Sequence, residues 1–329
     1  MITSLIWLPA SLIAGLFQAW RTAVQQRLRA DLSVSGAGLV RYLYGAPIAV
    51  ALAVGYATAH GLARPHFSST FVTFAVLGGL AQIVGTNLLI TAFGYRNFVV
   101  GTAFSKTEAV QAALFAWIAL GEHLSGLVIL GIGFGVAGVL VLSLGGSKLT
   151  ARQIAQALRQ PAALCGLGAG ALFALTGVFV KRATMELVSQ KSRLLPDVSK
   201  GPWPLSTGEL AQQDSVAAAL ATLAIVMLLQ TVMHGAYVAW REPATLRRVA
   251  VTWRTSSQVG VLAALGSACW FVGFATAPVA LVRIVGQVEV VFTLAFARIY
   301  LRELTKRHEA SGLLLVAAGV ILALLGSIA

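Results

Sequence analysis

Residues 98 to 145 read FVVGTAFSKTEAVQAALFAWIALGEHLSGLVILGIGFGVAGVLVLSLG, two apolar stretches joined by a short polar turn, the pattern of a hairpin of helices. Shifted by 181 residues, the stretch lies over VALVRIVGQVEVVFTLAFARIYLRELTKRHEASGLLLVAAGVILALLG, residues 279 to 326. At that constant offset Glu108 falls on Glu289, Val110 on Val291, Phe115 on Phe296, Ala116 on Ala297, Leu120 on Leu301 and Glu122 on Glu303. The match continues with Gly131 on Gly312, Ala137 on Ala318, Gly138 on Gly319, Val139 on Val320 and Gly145 on Gly326. The chain therefore carries a duplication. Both copies keep a glutamate about midway along their first helix, where an ionised side chain costs roughly 2.5 to 3.5 kcal/mol on insertion scales.

The surrounding chain is membrane-like throughout. Its 329 residues are 58% hydrophobic and 11% charged with mean hydropathy +0.84, against about 25% charged residues in a soluble domain. Apolar runs of about 20 residues, enough for about 30 Å of hydrocarbon, recur along nearly its whole length. Backbone groups in lipid must be satisfied within each segment, and the runs lack the alternation of barrel strands, so helices are expected.

Ten spans are predicted, near residues 4–26, 34–57, 68–92, 98–120, 125–145, 162–184, 215–238, 256–278, 279–300 and 309–328. Five precede a linker at 146–161 and five follow it. An odd number per half makes the copies enter the membrane in opposite directions. The expected architecture is thus an all-α membrane protein of ten transmembrane helices in two inverted five-helix repeats, 1–145 and 162–329. In the linker, Lys148, Arg152 and Arg159 suit a short amphipathic helix on the membrane surface. The stretch 187–214, with Pro196, Pro202 and Pro204, reads as an extramembrane loop insertion.

The formal net charge of +13 does not point to nucleic acid, because Lys and Arg collect in short loops that orient a membrane protein. Arg27, Arg29, Arg96, Lys148, Arg152, Arg159, Arg241, Arg247, Arg248, Arg254, Arg302, Lys306 and Arg307 fall on one side, which is expected to be cytoplasmic. Both termini are then extracytoplasmic. Cys165 and Cys269 lie within apolar runs and read as small core residues. The N-terminal stretch has no basic region before it and is expected to be a retained span.

Glu108 and Glu289 are the strongest functional candidates, as central carboxylates binding a substrate amine, a proton, or both in turn. The structural alternative is a carboxylate paired with a neighbouring Lys or Arg to hold helices in register. Lys106 and Gln287 form a second equivalent pair. Residues two apart lie about 200° apart around a helix, so Lys106 and Glu108 share a face only if the helix is broken there. Glu108 is expected to face the cavity, and Lys106 to pair with a neighbouring helix.

In the first span Arg21 is a candidate anchor for a substrate carboxylate or phosphate, or else snorkels to the interface; Arg41 and Arg283 carry the same alternatives. Gln82, Asn87 and Trp270 are candidate lining residues. For Trp270, with Phe271 and Phe274, packing is the stronger alternative. Gly133, Gly135 and Gly138 spell GxGxxG, but inside an apolar helix with no preceding strand they form a packing stripe with Gly131 rather than a dinucleotide site. The five histidines fall at or near span ends with no HExxH spacing, and no catalytic constellation assembles.

The helices LGEHLSGLVILGIGFGVAGVLVL around Glu122 and LRELTKRHEASGLLLVAAGVILAL around Glu303, with Arg41 opening the second span and Arg27 and Lys181 near the ends of the first and sixth, resemble EamA-type carriers of the drug/metabolite transporter superfamily. The resemblance implies a secondary carrier that moves small metabolites, often outward, by alternating access and without a cofactor. It is nearly silent on substrate; the two carboxylates suit a small polar or amphipathic molecule such as an amino acid or amine, with a proton as candidate coupling ion, and a monomer or homodimer in the lipid bilayer of a bacterial-type cytoplasmic membrane is expected. The chain departs from the family's pattern in two respects. Glu108 and Glu289 stand near the place where prolines are common in the fourth and ninth spans, and the arginine count opposes the usual cytoplasmic termini. A membrane-embedded enzyme or a non-transporting scaffold is the rival class.

Overall fold

The computed structural model describes residues 5–28, 31–62, 65–92, 104–143, 160–194, 207–292, 295 and 307–328, which form helices and connecting turns with no strand among them. In chain order the helices are α1 (Trp7–Leu28), α2 (Val34–Leu43), α3 (Ala46–Ala59), α4 (Ser69–Ala92), α5 (Glu108–Leu120) and α6 (Gly126–Ser143). They continue as α7 (Pro161–Leu194), α8 (Thr207–Arg241), α9 (Pro243–Val251), α10 (Trp253–Thr276), α11 (Val279–Gly286) and α12 (Arg307–Ile328). Among the described residues five stretches are long and apolar enough to cross a membrane: 34–59, 69–92, 161–189, 211–241 and 253–276. Three shorter apolar helices, at 108–120, 126–141 and 311–327, join them. The molecule is an integral, multi-pass membrane protein.

Several boundaries differ from the sequence expectation. The second span is two helices, because Pro47 in the first turn of α3 cannot donate an amide back to the preceding turn. The stretch expected as a loop at 187–214 is helical at both ends, α7 running to Leu194 and α8 starting at Thr207; Pro196 lies just beyond the first of these ends. Between the seventh and eighth spans the chain forms α9, which opens on Pro243 where a missing N–H is harmless. The expected fourth and ninth spans are each interrupted. The predicted surface helix of the linker lies outside the described residues.

The chain divides into two compact units, each drawing on both sequence halves. The first comprises Met1–Leu80 and Thr176–Pro278, the second Ala81–Leu175 and Val279–Ala329. In the first unit α10 packs against α1, α2, α3 and α8. The approaches are close: a Cβ on Gly260 would stand 2.8 Å from the Gly45 amide nitrogen, and one on Gly79 would meet Gln230 and Val226. Gly45 and Gly79 are related to Val226 and Gly260 by the 181-residue offset, so these two contacts exchange under the duplication. Polar bonds between apolar helices add to the packing, among them Gln230 Nε2 to Gly79 O at 3.2 Å and Thr184 Oγ1 to Thr222 Oγ1 at 3.2 Å.

In the second unit α6 packs along α12, and α11 packs against α5, α6 and α12. A Cβ on Gly131 would stand 2.6 Å from Gly319 O, and one on Gly138 2.7 Å from Gly312 O. Ser125 Oγ donates to Gly326 O at 2.7 Å. Contact partners descend along α12 as they ascend along α6, so the two helices run antiparallel. The glycine contacts again exchange under the 181-residue offset. Of the expected packing stripe, Gly131, Gly135 and Gly138 lie at close helix contacts, whereas a Cβ on Gly133 would meet nothing within 4 Å, because it stands on another face of α6.

Candidate functional site

The two interruptions fall at equivalent positions, and both lie in the second unit. Lys106 and Thr107 form the turn that precedes α5; Gln287 and Val288 form the turn that follows α11, after which helix resumes at Glu289. Through both turns the backbone bonds reach three residues back rather than four. Thr107 N donates to Phe104 O at 3.3 Å and Val110 N to Thr107 O at 3.1 Å, as Val288 N does to Val285 O at 3.2 Å and Val291 N to Val288 O at 2.9 Å. Such a tightened turn inside an apolar helix marks a hinge or a strained site. Thr107 favours the first, since its hydroxyl donates to Phe104 O at 2.7 Å and so competes with the regular ladder.

The expected midpoint glutamates therefore open new helical segments. Glu108 is the first residue of α5 and Glu289 the first after the second turn, each at the positive end of a helix dipole. Lys106 leaves the helix that Glu108 begins, which removes the constraint that the two side chains point apart.

The charges pair across the duplication. Lys106 Nζ donates to Glu289 Oε2 at 2.8 Å. Arg283 Nη1 stands 3.6 Å from Glu108 Oε1, and Arg283 Nη2 donates to Phe173 O on α7 at 2.9 Å. Each copy thus supplies a carboxylate to a cation of the other. All four side chains are at most 16% exposed. They sum to zero charge, the condition under which buried ions persist in a low-dielectric site.

Neighbouring backbone comes close to both turns. A Cβ on Gly170 of α7 would stand 2.8 Å from Ser105 O, and one on Gly135 of α6 2.7 Å from Gln287 Oε1. Gln287 itself is 3% exposed, and neither of its amide atoms has a hydrogen-bond partner among the described residues. Gln111 Nε2 donates to Thr107 Oγ1 at 3.1 Å, while its Oε1 has no partner. Amides unmatched among the described residues, beside two ion pairs, give the site spare hydrogen-bonding capacity.

Of the residues singled out by sequence, Glu108, Glu289, Lys106 and Gln287 come together here. Gln82 and Asn87 sit on α4 in the same unit, Asn87 with a buried Oδ1 that lacks a donor. Arg21 and Trp270 belong to the first unit. Trp270 Nε1 donates to Gln18 Oε1 at 3.1 Å and its ring stacks on Phe274 with centroids 5.8 Å apart, a packing role for the indole. Arg21 is half-buried on α1 beside the exposed Trp20. A shallow, mostly apolar pocket of about 260 Å³ near Trp20, Ser257 and Leu262 does not include it. The sequence reading underweighted Arg283. Two buried acids call for two bases, and an arginine six residues before Glu289 was the available signal. Glu122, part of the repeated motif, accepts from Val279 N at 2.9 Å and so caps the start of α11.

Residues 211–325 match the family model described as the EamA-like transporter family, which bears out the resemblance over that part of the chain. A protein known from its crystal structure shares the fold, aligning over 99% of this chain and 98% of its own with a TM-score of 0.66 at 14% identity. Comparison with curated proteins gives no match.

Proposed function

We propose that this EamA-like membrane protein is a secondary active carrier that exports a small polar or amphipathic metabolite, such as an amino acid or amine. It works by alternating access between two inverted five-helix repeats, with proton coupling at the buried carboxylates. The observation that carries the proposal is the pair of helix interruptions at repeat-related positions, each placing a charged pair in the protein interior. Interrupted helices expose backbone dipoles where a substrate can meet them, an arrangement typical of carriers. The exchanged contacts between α6 and α12, and between Gly45–Gly260 and Gly79–Val226, are what an inverted repeat requires.

In this mechanism a substrate ammonium competes with Lys106 for Glu289, or with Arg283 for Glu108. Protonation of Glu289 cancels its charge and releases Lys106 to another partner, which links proton uptake to a rearrangement of the pairs. Gln287, Gln82 and Asn87 offer amides to the polar part of the substrate. Arg21 and Trp270 are weaker candidates because the first unit already employs Trp270 in packing. Both termini are extracytoplasmic in this scheme.

The test is flux of candidate amino acids and amines into liposomes containing only the purified protein, with and without a pH gradient. Wild-type protein drives saturable uptake, whereas Glu108→Gln and Glu289→Gln fold but lose proton-coupled transport. Normal flux and normal pH dependence in both variants would make the pairs purely structural. Absence of flux for every solute in the wild type would favour an enzyme or scaffold.

A further inference from the structure

The elbow between α8 and α10 in the first unit has a composition that neither transport nor packing explains. α8 ends at Arg241, α9 follows as a single short helix, and α10 starts at Trp253, so α9 lies at one membrane surface between two spans. One face of α9 is held to the protein. Val249 is buried in a cluster with Leu28, Leu32, Ala37, Val40 and Val259, and its carbonyl accepts from Tyr44 Oη at 3.2 Å. The opposite face is open. Along α9 and the adjoining ends of α8 and α10, Arg241, Arg247, Arg248 and Arg254 are exposed, together with Trp240 and Val251 at 75% exposure and Trp253 at 54%.

Two of the arginines are ordered on the tryptophans, with Arg241 Cζ 5.1 Å from the Trp240 ring centroid and Arg254 Cζ 5.6 Å from that of Trp253. The single acid of residues 240–254 is Glu242. It does not neutralise them, because its carboxylate accepts from Ser33 Oγ at 2.5 Å, Ser35 Oγ at 3.0 Å and Thr245 Oγ1 at 3.2 Å. Those bonds hold it below the ordinary carboxylate range, Ser33 contributing most. The acid is consumed in fixing the elbow, and the four cations remain available.

The geometry points to α9 and its flanking tryptophans as a binding surface for anionic phospholipid headgroups. Indole rings sit at headgroup depth with their apolar edges toward the acyl chains, and the adjacent guanidiniums are placed to take phosphate in forked hydrogen bonds. Leu246 and Val251 supply the apolar contact that a surface-lying helix makes with the acyl boundary. The arginine-rich elbow would thereby retain a shell of acidic lipid around this end of the protein.

The experiment measures association of spin-labelled phosphatidylglycerol and phosphatidylcholine with the reconstituted full-length protein by the motionally restricted fraction. A basic residue at the surface enriches acidic lipid about fivefold before screening, and the four share one lipid shell. The wild type is therefore expected to prefer phosphatidylglycerol about tenfold at ~0.01 M salt and to lose most of that preference at ~1 M, where the screening length falls to about 3 Å. Replacing the four arginines (R241Q, R247Q, R248Q and R254Q together) should bring the preference close to unity at low salt. Equal association of the two lipids with the wild type overturns the assignment, as does an undiminished preference in the folded variant. If that variant does not fold, the wild-type salt series decides alone: a preference unaffected by salt is not carried by these exposed cations.

Discussion

Removing one member of the Lys106–Glu289 pair should destabilise the protein far more than removing both. At an effective dielectric constant near 20, unit charges 2.8 Å apart attract by about 6 kcal/mol, and at the 3.6 Å of Arg283–Glu108 by about 5 kcal/mol. Desolvation offsets most of either figure, and the larger consequence is the ion left behind. Lys106→Met removes the cation bonded to Glu289, a carboxylate at 11% side-chain exposure, and should lower stability by about 3–5 kcal/mol. Glu289→Gln withdraws that carboxylate from Lys106, which still interacts with Glu108, and should cost less. The double variant retains neither ion and should recover much of the loss, giving a coupling energy of about 2–3 kcal/mol. For Arg283→Met and Glu108→Gln the coupling should be nearer 1 kcal/mol, because Arg283 also donates to Phe173 O and remains partly satisfied. Reversible unfolding in mixed micelles with increasing SDS supplies the four stabilities of each cycle. Additive single effects at Lys106 and Glu289, with coupling under about 0.5 kcal/mol, would refute the account of the site as a mutually dependent ion pair.

Two further outcomes test the packing and the elbow. Gly138→Ala places a Cβ 2.7 Å from both Gly312 O and Val316 N, backbone atoms that cannot swing aside, and should cost about 1–3 kcal/mol. Gly133→Ala, five residues earlier with nothing within 4 Å, should be neutral or stabilising by up to about 1 kcal/mol from helix propensity; thermal unfolding of the two proteins makes the comparison. Glu242 has a folded-state pKa below its ordinary value. Its contribution is therefore full above the ordinary carboxylate range and is lost as pH falls through that depressed value. Thermal stability measured from neutral to acid pH should show this loss in the wild type. The Glu242→Gln variant should lack that component, with a modest amplitude because the group is partly exposed.

Much of the carboxylate site was visible before any coordinates. The constant offset picked out Glu108 and Glu289, and the two-residue spacing from Lys106 posed the right question by asking whether the helix breaks. The answer was not legible, because the polar residues of 104–110 and 285–291 sit inside longer apolar runs that read as single spans, and a three-residue turn leaves no periodic trace. Arg283 was visible only as an ambiguous intramembrane arginine until Glu108 was found beside it. For Trp270 packing was the stronger alternative from sequence, and the bond from its indole to Gln18 agrees with it. α9 escaped notice for a different reason: nine residues with arginines in the middle lack the apolar run by which spans are recognised.

By itself the sequence determined that this is a helical membrane protein, that its two halves repeat, and that two costly acids recur at equivalent places. Those properties follow from composition and local periodicity, since lipid obliges each spanning segment to satisfy its own backbone. Only the tertiary structure decided where the helices break and which cation meets which acid. The turns at Lys106–Thr107 and Gln287–Val288 forgo regular helical bonds. They persist through contacts with partners distant in the chain, Gly170 and Phe173 on α7, Gly135 on α6, and each other's charges. A local pattern cannot encode such partners, because their energies exist only once the helices are side by side.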